Sequence, residues 1–211
     1  MAERAPTLPK HVLLLRHGST EQGSNGLFTG RLDVPLSKKG EEQAREWTPV
    51  FDKYPNATAF TSPLVRATET ARLAGLSDPV VAGTLAEWDL GSLEGVDADR
   101  YRSERPGWSI FTRGIDDGSG ESIPDIEVRT ARTWAMLRER GGDLVVVVSH
   151  GQYLRALITR VVGLPLSAAT SFSLGPARAA LASLRAGGSY SLTGWNISPM
   201  PLECGLLADL T

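Results

Sequence analysis

The chain of 211 residues contains one cysteine, Cys204, so it cannot build an internal disulfide framework, and it fits a reducing, cytoplasmic compartment. It has no apolar run near the roughly 20 residues that a membrane helix needs. The longest such run, Leu144 to Val148, is strand-sized. Met1 to His11 holds no apolar stretch of signal-peptide length, which argues against secretion. Neither sign of charge is in excess. The formal net charge is −2, a poor electrostatic match for nucleic acid or an anionic membrane surface. Histidine is scarce, with three in all, and no His-x-x-x-His pair occurs. With the one cysteine near the tail and Asp116-Asp117 in a polar stretch, the sequence gives no reason to expect a metal site. A Gly-Lys-Ser/Thr phosphate loop is missing, as is a Gly-x-Gly-x-x-Gly fingerprint after a strand, which removes the commonest nucleotide-binding signatures. No repeat or low-complexity tract is visible.

What remains is an ordinary globular composition, 41% hydrophobic and 22% charged. At roughly 150 residues per domain the length predicts one domain over residues 1–211. Short apolar runs alternate with helical patterns, and the best runs are continuous rather than alternating. His11 to Leu15 reads as a buried strand, and Ala57 to Thr61, the short Val80-Val81 and Leu144 to Val148 read as further strands. Ser37 opens a helix that runs to about Tyr54, kinked or shortened at Pro49. Ser62-Pro63 reads as an N-cap followed by proline at the first helical position, with a helix to about Gly75. Ile123 to Arg140, ending at Gly141-Gly142, and Tyr153 to Val162 read as further helices. Ser19 to Pro35 and Glu87 to Gly95 read as loops, and residues 97–122 as a loop–helix insertion over the site. Ala177 to Leu184 and Ser189 to Trp195 form a late hairpin around Gly187-Gly188. The expected fold is α/β: a three-layer sandwich with a mostly parallel central sheet and helices on both faces.

Two strands end in the same kind of signal. Leu13-Leu14-Leu15 runs into Arg16-His17-Gly18, and Val146-Val147-Val148 runs into Ser149-His150-Gly151. Ligands of open α/β sheets sit outside the carboxyl ends of the strands, so both histidines can face one pocket. The plainer alternative is a pair of satisfied loop histidines. Arg66 lies in the first turn of the helix after Ala57 to Thr61, where unpaired amides favour an anion and a guanidinium fork suits phosphate. Glu87, beside Leu85 and Trp88, can act as an acid. Taken singly, Arg66 is as readily a surface arginine and Glu87 a loop carboxylate. Arg16, His17, Arg66 and His150 together make a phosphate cradle that needs no metal.

The same residues resemble the Arg-His-Gly signature of the histidine phosphatase (phosphoglycerate mutase-like) superfamily. Leu15-Arg16-His17-Gly18 with Thr20 carries the first motif. Phe28-Thr29-Gly30, Leu32 to Ser37 and Gly40 are similar to the family's substrate loop. Thr61-Ser62-Pro63 with Arg66-Ala67 and Thr70-Ala71 resembles its second arginine motif. Leu85-x-Glu87 with Gly91 and Glu94-Gly95 resembles its acid motif, and Ser149-His150-Gly151 its second histidine motif. The resemblance implies that His17 is a nucleophile that becomes phosphohistidine, with its other ring nitrogen on a backbone carbonyl. It implies that Arg16, Arg66 and His150 bind the phosphoryl group and that Glu87 protonates the leaving oxygen. Thr20, Gly23, Thr29, Gly30, Gly151 and Arg155 are implied around the substrate. Many members carry Asn where this chain has Gly23, and Asn25 lies out of register.

A short interval between Glu87 and His150 and the Gly120-Glu121-Ser122 element resemble the phosphatase branch. Arg105-Pro106, Trp108-Ser109-Ile110 and Leu154-Arg155 are similar to its sedoheptulose-bisphosphatase-like members, which implies a sugar phosphate or bisphosphate with Arg155 near a distal phosphate. The expected activity is metal-independent phosphomonoester hydrolysis with no cofactor, on a small phosphorylated metabolite. The alternatives are a phosphoglycerate mutase and a non-catalytic phospho-ligand binding protein. No nucleic acid or membrane partner is expected, and the sequence permits a homo-oligomer.

Overall fold

The computed structural model describes residues 8–140 and 142–200. Cys204, Gly141 and the first residues of the N-terminal stretch lie outside them. Six strands form one sheet: β1 (His11–Arg16), β2 (Thr58–Thr61), β3 (Val80–Val81), β4 (Leu144–Ser149), β5 (Ala179–Leu184) and β6 (Tyr190–Ile197), in the order β3-β2-β4-β1-β5-β6. β3, β2, β4 and β1 are mutually parallel, and β5 runs antiparallel to both β1 and β6. The sheet is thus mostly parallel, with the predicted hairpin closing one edge.

The continuous apolar strands follow from burial on both faces. Val12, Leu14, Val145 and Val147 point into one core, and Leu13, Leu15, Val146 and Val148 into the other. Each such side chain contributes about 1.5–3 kcal/mol when fully buried. Eight helices are present among the described residues: α1 (Glu21–Ser24), α2 (Lys38–Arg45), α3 (Thr48–Phe51), α4 (Val65–Leu73), α5 (Ala98–Ser103), α6 (Ile110–Arg113), α7 (Ile123–Arg138) and α8 (Gly151–Val161). α3 and α4 cover one face through Val50, Phe51, Ala67 and Ala71. α5 to α8 cover the other through Tyr101, Phe111, Ile126 and Leu157. The three layers expected from the sequence are therefore present.

Several boundaries differ from the expectation, each for a local reason. The helix from Ser37 does start there, with Ser37 Oγ accepting from Gly40 N at 3.1 Å. It is shortened rather than kinked: it stops at Arg45, ahead of Pro49, which sits in the first turn of a second helix, α3. Ser62 is not an N-cap and Pro63 is not the first helical residue. α4 starts at Val65, after Leu64, and its first amide is capped by Asp33 Oδ1 at 2.7 Å. Ser62 instead directs its hydroxyl toward His150. Ser19 to Pro35, read as loop, contains the single turn α1, capped by Thr20. α7 ends at Arg138 and α8 begins at Gly151, two residues from the expected limits.

Candidate active site

The parallel register aligns Arg16 on β1 with Ser149 on β4, and Thr61 on β2 with Val148. His17, His150 and Ser62 therefore emerge at one carboxyl edge of three neighbouring strands. The His17 and His150 ring centroids are 5.1 Å apart, with the planes inclined at 61°. Beside them opens a cavity of about 340 Å³. Arg16, His17, Thr20, Gly23, Thr29, Gly30, Arg66, Glu87, Gly151 and Arg155 all line it. His150 alone of the residues singled out does not, since it is fully buried behind His17.

His17 Nδ1 lies 2.7 Å from the Gly18 carbonyl. A carbonyl oxygen only accepts, so Nδ1 carries the hydrogen and the lone pair is on Nε2. Arg66 Nε donates to that lone pair at 3.2 Å. Burial, then the Arg66 and Arg16 guanidinium groups, hold the His17 pKa well below the ordinary imidazole value, against a smaller opposing effect of the Gly18 carbonyl. The ring is neutral at physiological pH. Burial likewise pulls His150 well below the ordinary value, helped by Arg66, His17 and Arg16.

The loop after β1 is fixed by close backbone approach. A Cβ at Gly18 would lie 2.3 Å from the Gly40 carbonyl oxygen, and one at Gly40 would lie 2.1 Å from the Ser19 carbonyl oxygen. Only glycines allow β1 to hand over to His17 directly against the start of α2. Gly18 N donates to Thr70 Oγ1 at 3.1 Å, which ties the same loop to α4.

Arg66 is fully buried. Its Nη1 and Nη2 donate to Leu32 O at 2.7 Å and Gly30 O at 2.8 Å, so it also pins the segment at residues 30–32. Arg16 Nη1 donates to Leu174 O, while its Nε is buried with no hydrogen-bond partner. His150 Nε2 is 2.7 Å from Ser62 Oγ, and its Nδ1 is also buried and unpartnered. Orphaned buried polar atoms cost about 1–3 kcal/mol each. The unpartnered Arg16 Nε, beside the second guanidinium of Arg66 on the same cavity, fits an anionic oxygen ligand. Gly151 leaves room for this, because a Cβ there would sit 3.1 Å from Arg16 Nε.

Glu87 is buried at the start of α8. Its Oε1 accepts from Trp88 N at 2.9 Å and Tyr153 N at 2.8 Å, and its Oε2 accepts from Gln152 N at 3.2 Å. The expected apolar surroundings are only half of its setting. The Trp88 ring turns into the core against Phe111, and the amides of the first α8 turn hold the carboxyl instead. His150, the N-cap of α8, makes no side-chain cap, so Glu87 supplies it from another part of the chain.

Sequence reasoning missed four contributors. Ser62 was absorbed into a helix-cap reading. Arg129, on α7, donates to the carbonyls of Thr84, Ala86 and Glu87. Arg102 and Gln152 line the cavity together with Arg155. Nothing local marks Arg129, whose neighbours Glu127 and Val128 read as a solvent face. Arg155 Nε and Nη2 donate to Ala169 O, and burial pulls its pKa down to about 10. Among the described residues no group of three or more His, Cys, Asp or Glu side chains could hold a metal ion, and no helix is long and apolar enough to cross a membrane.

Comparison with known proteins agrees with this geometry. The model of the histidine phosphatase superfamily (branch 1) matches residues 12–198. An acid phosphatase of Mycobacterium tuberculosis (strain ATCC 25618 / H37Rv) is 34% identical over 198 residues, 92% of this chain and 97% of that protein. A probable phosphoglycerate mutase GpmB of Enterobacter sp. (strain 638) is 33% identical over 162 residues, 73% of this chain and 75% of that protein. Among solved structures, that of the open reading frame Rv3214 from Mycobacterium tuberculosis has a TM-score of 0.82 at 33% identity, covering 90% of this chain and 98% of its own. With nearly the whole chain matched and both histidines at one sheet edge, the protein belongs to the histidine phosphatase superfamily, branch 1, as a phosphatase.

Proposed function

We propose that the protein hydrolyses small phosphomonoesters, sugar phosphates or bisphosphates foremost, without a metal and through a phosphohistidine at His17. The observation that carries this is the orientation of one ring. The Gly18 carbonyl holds the Nδ1 hydrogen, which leaves the lone pair on Nε2 at the cavity edge, where it accepts from Arg66 Nε and is freed for attack when a phosphate oxygen takes that donor.

In the first step Nε2 attacks phosphorus and the ester P–O bond breaks. Glu87 gives its proton to the departing oxygen, which leaves as the alcohol. In the second step water attacks the phosphohistidine and gives its proton to the Glu87 carboxylate, and inorganic phosphate is released. Arg16, Arg66 and His150 stabilise the equatorial oxygens throughout. Two guanidinium groups there supply the positive charge that a phosphoryl dianion requires. Arg102 and Arg155 give the same cavity a second cationic wall, suited to a further anionic group on the substrate.

The test is incubation with ³²P-labelled substrate in EDTA, followed by quenching and peptide mapping. Label on the His17 peptide together with release of free phosphate supports the reading. Phosphate release without label on His17 overturns the nucleophile assignment. Interconversion of phosphoglycerates without free phosphate identifies a mutase, and binding without turnover identifies a phospho-ligand binding protein.

A further inference from the structure

Glu87 reaches the cavity on a stretch of chain, residues 84–89, that belongs to no regular helix or strand beyond its first two residues. Such a stretch has no ladder of its own to hold it, yet an acid must sit within hydrogen-bond reach of the oxygen it protonates. Three of its backbone acceptors converge on one guanidinium, and the Glu87 carbonyl also accepts from Arg31 Nε at 2.8 Å. Arg129 Nη1 takes Thr84 O at 2.9 Å and Ala86 O at 2.7 Å, and Nη2 takes Glu87 O at 3.3 Å.

That guanidinium is itself held. Nε and Nη2 donate to Glu121 Oε1 and Oε2, both at 2.6 Å, in a fork-to-fork pair with both side chains nearly buried. Glu121 then closes over the other end of the stretch. Its carbonyl accepts from Trp88 Nε1 at 2.7 Å, and its amide donates to Asp89 O at 3.0 Å. The Arg129 guanidinium also lies over the Tyr153 ring, 4.2 Å from the centroid, and Tyr153 N donates to Glu87 Oε1. The pair therefore touches Glu87 from two sides, through its carbonyl and through a donor to its carboxyl. Neither side chain lines the catalytic cavity.

We propose that Glu121 and Arg129 are positioning residues, a buried ion pair that fixes the proton-donating Glu87 against the leaving-group oxygen. This rests on the reading of Glu87 as the proton donor. Glu121 ends the 97–122 insertion, so the pair also locks that insertion to the acid. A purely structural pair would slow every substrate alike. In the first step, transfer of the phosphoryl group to His17, a pair that acts through Glu87 matters only where the leaving group needs a proton.

Glu121→Gln and Arg129→Lys are compared with the parent on two esters. Nitrophenolate leaves 4-nitrophenyl phosphate without a proton, whereas the alkoxide of glycerol 3-phosphate cannot. In both variants kcat for the alkyl ester falls by about tenfold or more, a part of the 10²–10⁴ that positioned acid catalysis supplies. KM and the pre-steady-state burst of nitrophenolate stay within about threefold, since ground-state binding and the attack by His17 are untouched. Glu87→Gln shows the same split, and Glu87→Gln/Glu121→Gln is no slower than Glu87→Gln alone.

Equal slowing of the phosphoryl-transfer step for both esters, read from the pre-steady-state phase, or multiplied losses in the double variant, overturns the proposal. A split in Glu87→Gln without one in either pair variant overturns the proposal alone. No split in Glu87→Gln overturns the acid assignment and the proposal with it. Should Glu121→Gln fail to fold, Arg129→Lys, which keeps the charge and loses the fork, carries the test.

Discussion

Arg66 Nε donates to His17 Nε2 across 3.2 Å, while Nη1 and Nη2 of the same guanidinium hold the carbonyls of Leu32 and Gly30. One side chain thus contacts the lone pair of the proposed nucleophile and holds the segment at residues 30–32. A lysine could supply the charge but not three directed donors. Arg66→Lys is expected to lower kcat/KM by on the order of 10²-fold, as loss of one or two charge-assisted bonds implies. Steady-state kinetics on 4-nitrophenyl phosphate check this, and a change under threefold would place Arg66 outside the chemistry.

His17→Ala removes the attacking atom and should cost on the order of 10⁴-fold or more in kcat. Retention of phosphate release at a comparable rate would mean that another group attacks.

Burial makes both His17 and His150 bind a proton less readily in the folded chain than in the unfolded one. Below about pH 6.5 the unfolded chain takes up protons that the folded chain does not, so stability from these rings is complete above that pH and is lost as pH falls below it. Each group adds a slope of up to about 1.4 kcal/mol per pH unit in that range. Urea unfolding between pH 7 and pH 5 should show the decline, and His17→Asn/His150→Asn should flatten it. For the same reason the acid limb of kcat/KM should not fall at an ordinary imidazole pKa, because His17 stays neutral well below it.

Gly18→Ala places a methyl group 2.3 Å from a backbone oxygen of Gly40, which no rotamer can relieve. A loss of about 1–3 kcal/mol is expected, with reduced activity from the displaced neighbour His17. Gly83→Ala, with nothing within 4 Å of the added carbon, serves as the control and should stay within about 0.5 kcal/mol. Denaturant midpoints of the two variants decide the point.

Arg102 and Arg155 lie on the wall shared by the catalytic cavity and a neighbouring one of about 490 Å³. Arg102→Ala/Arg155→Ala should raise KM for a sugar bisphosphate by about tenfold or more, the loss of one charge-assisted contact, and leave a simple monophosphate near the parent value. Equal effects on both substrates would remove the second anionic group from the substrate class.

The strands and the two histidines were legible because burial on both faces writes an unbroken apolar run, and such runs end where the sheet ends. Glu87 and Arg66 were legible only jointly with them, through the order of the motifs. Ser62 was misread because a serine before a proline is an ordinary helix-start signal. Its hydroxyl is drawn to His150, which lies far away in sequence. The capping of α8 by Glu87 and the grip of Arg129 on residues 84–87 were not legible at all. Both join segments whose proximity exists only after β4 has paired between β1 and β2.

The in-register pairing of β1 with β4 has an evolutionary consequence. Neighbouring strands lie about 4.8 Å apart in any sheet, and the two imidazole centroids are 5.1 Å apart. The backbone pairing thus brings the two rings to neighbouring strand ends, and the contacts of His17 with Gly18 and Arg66 and of His150 with Ser62 orient them there. A single residue added or deleted within β1 would turn one ring to the opposite face and end the chemistry in one step.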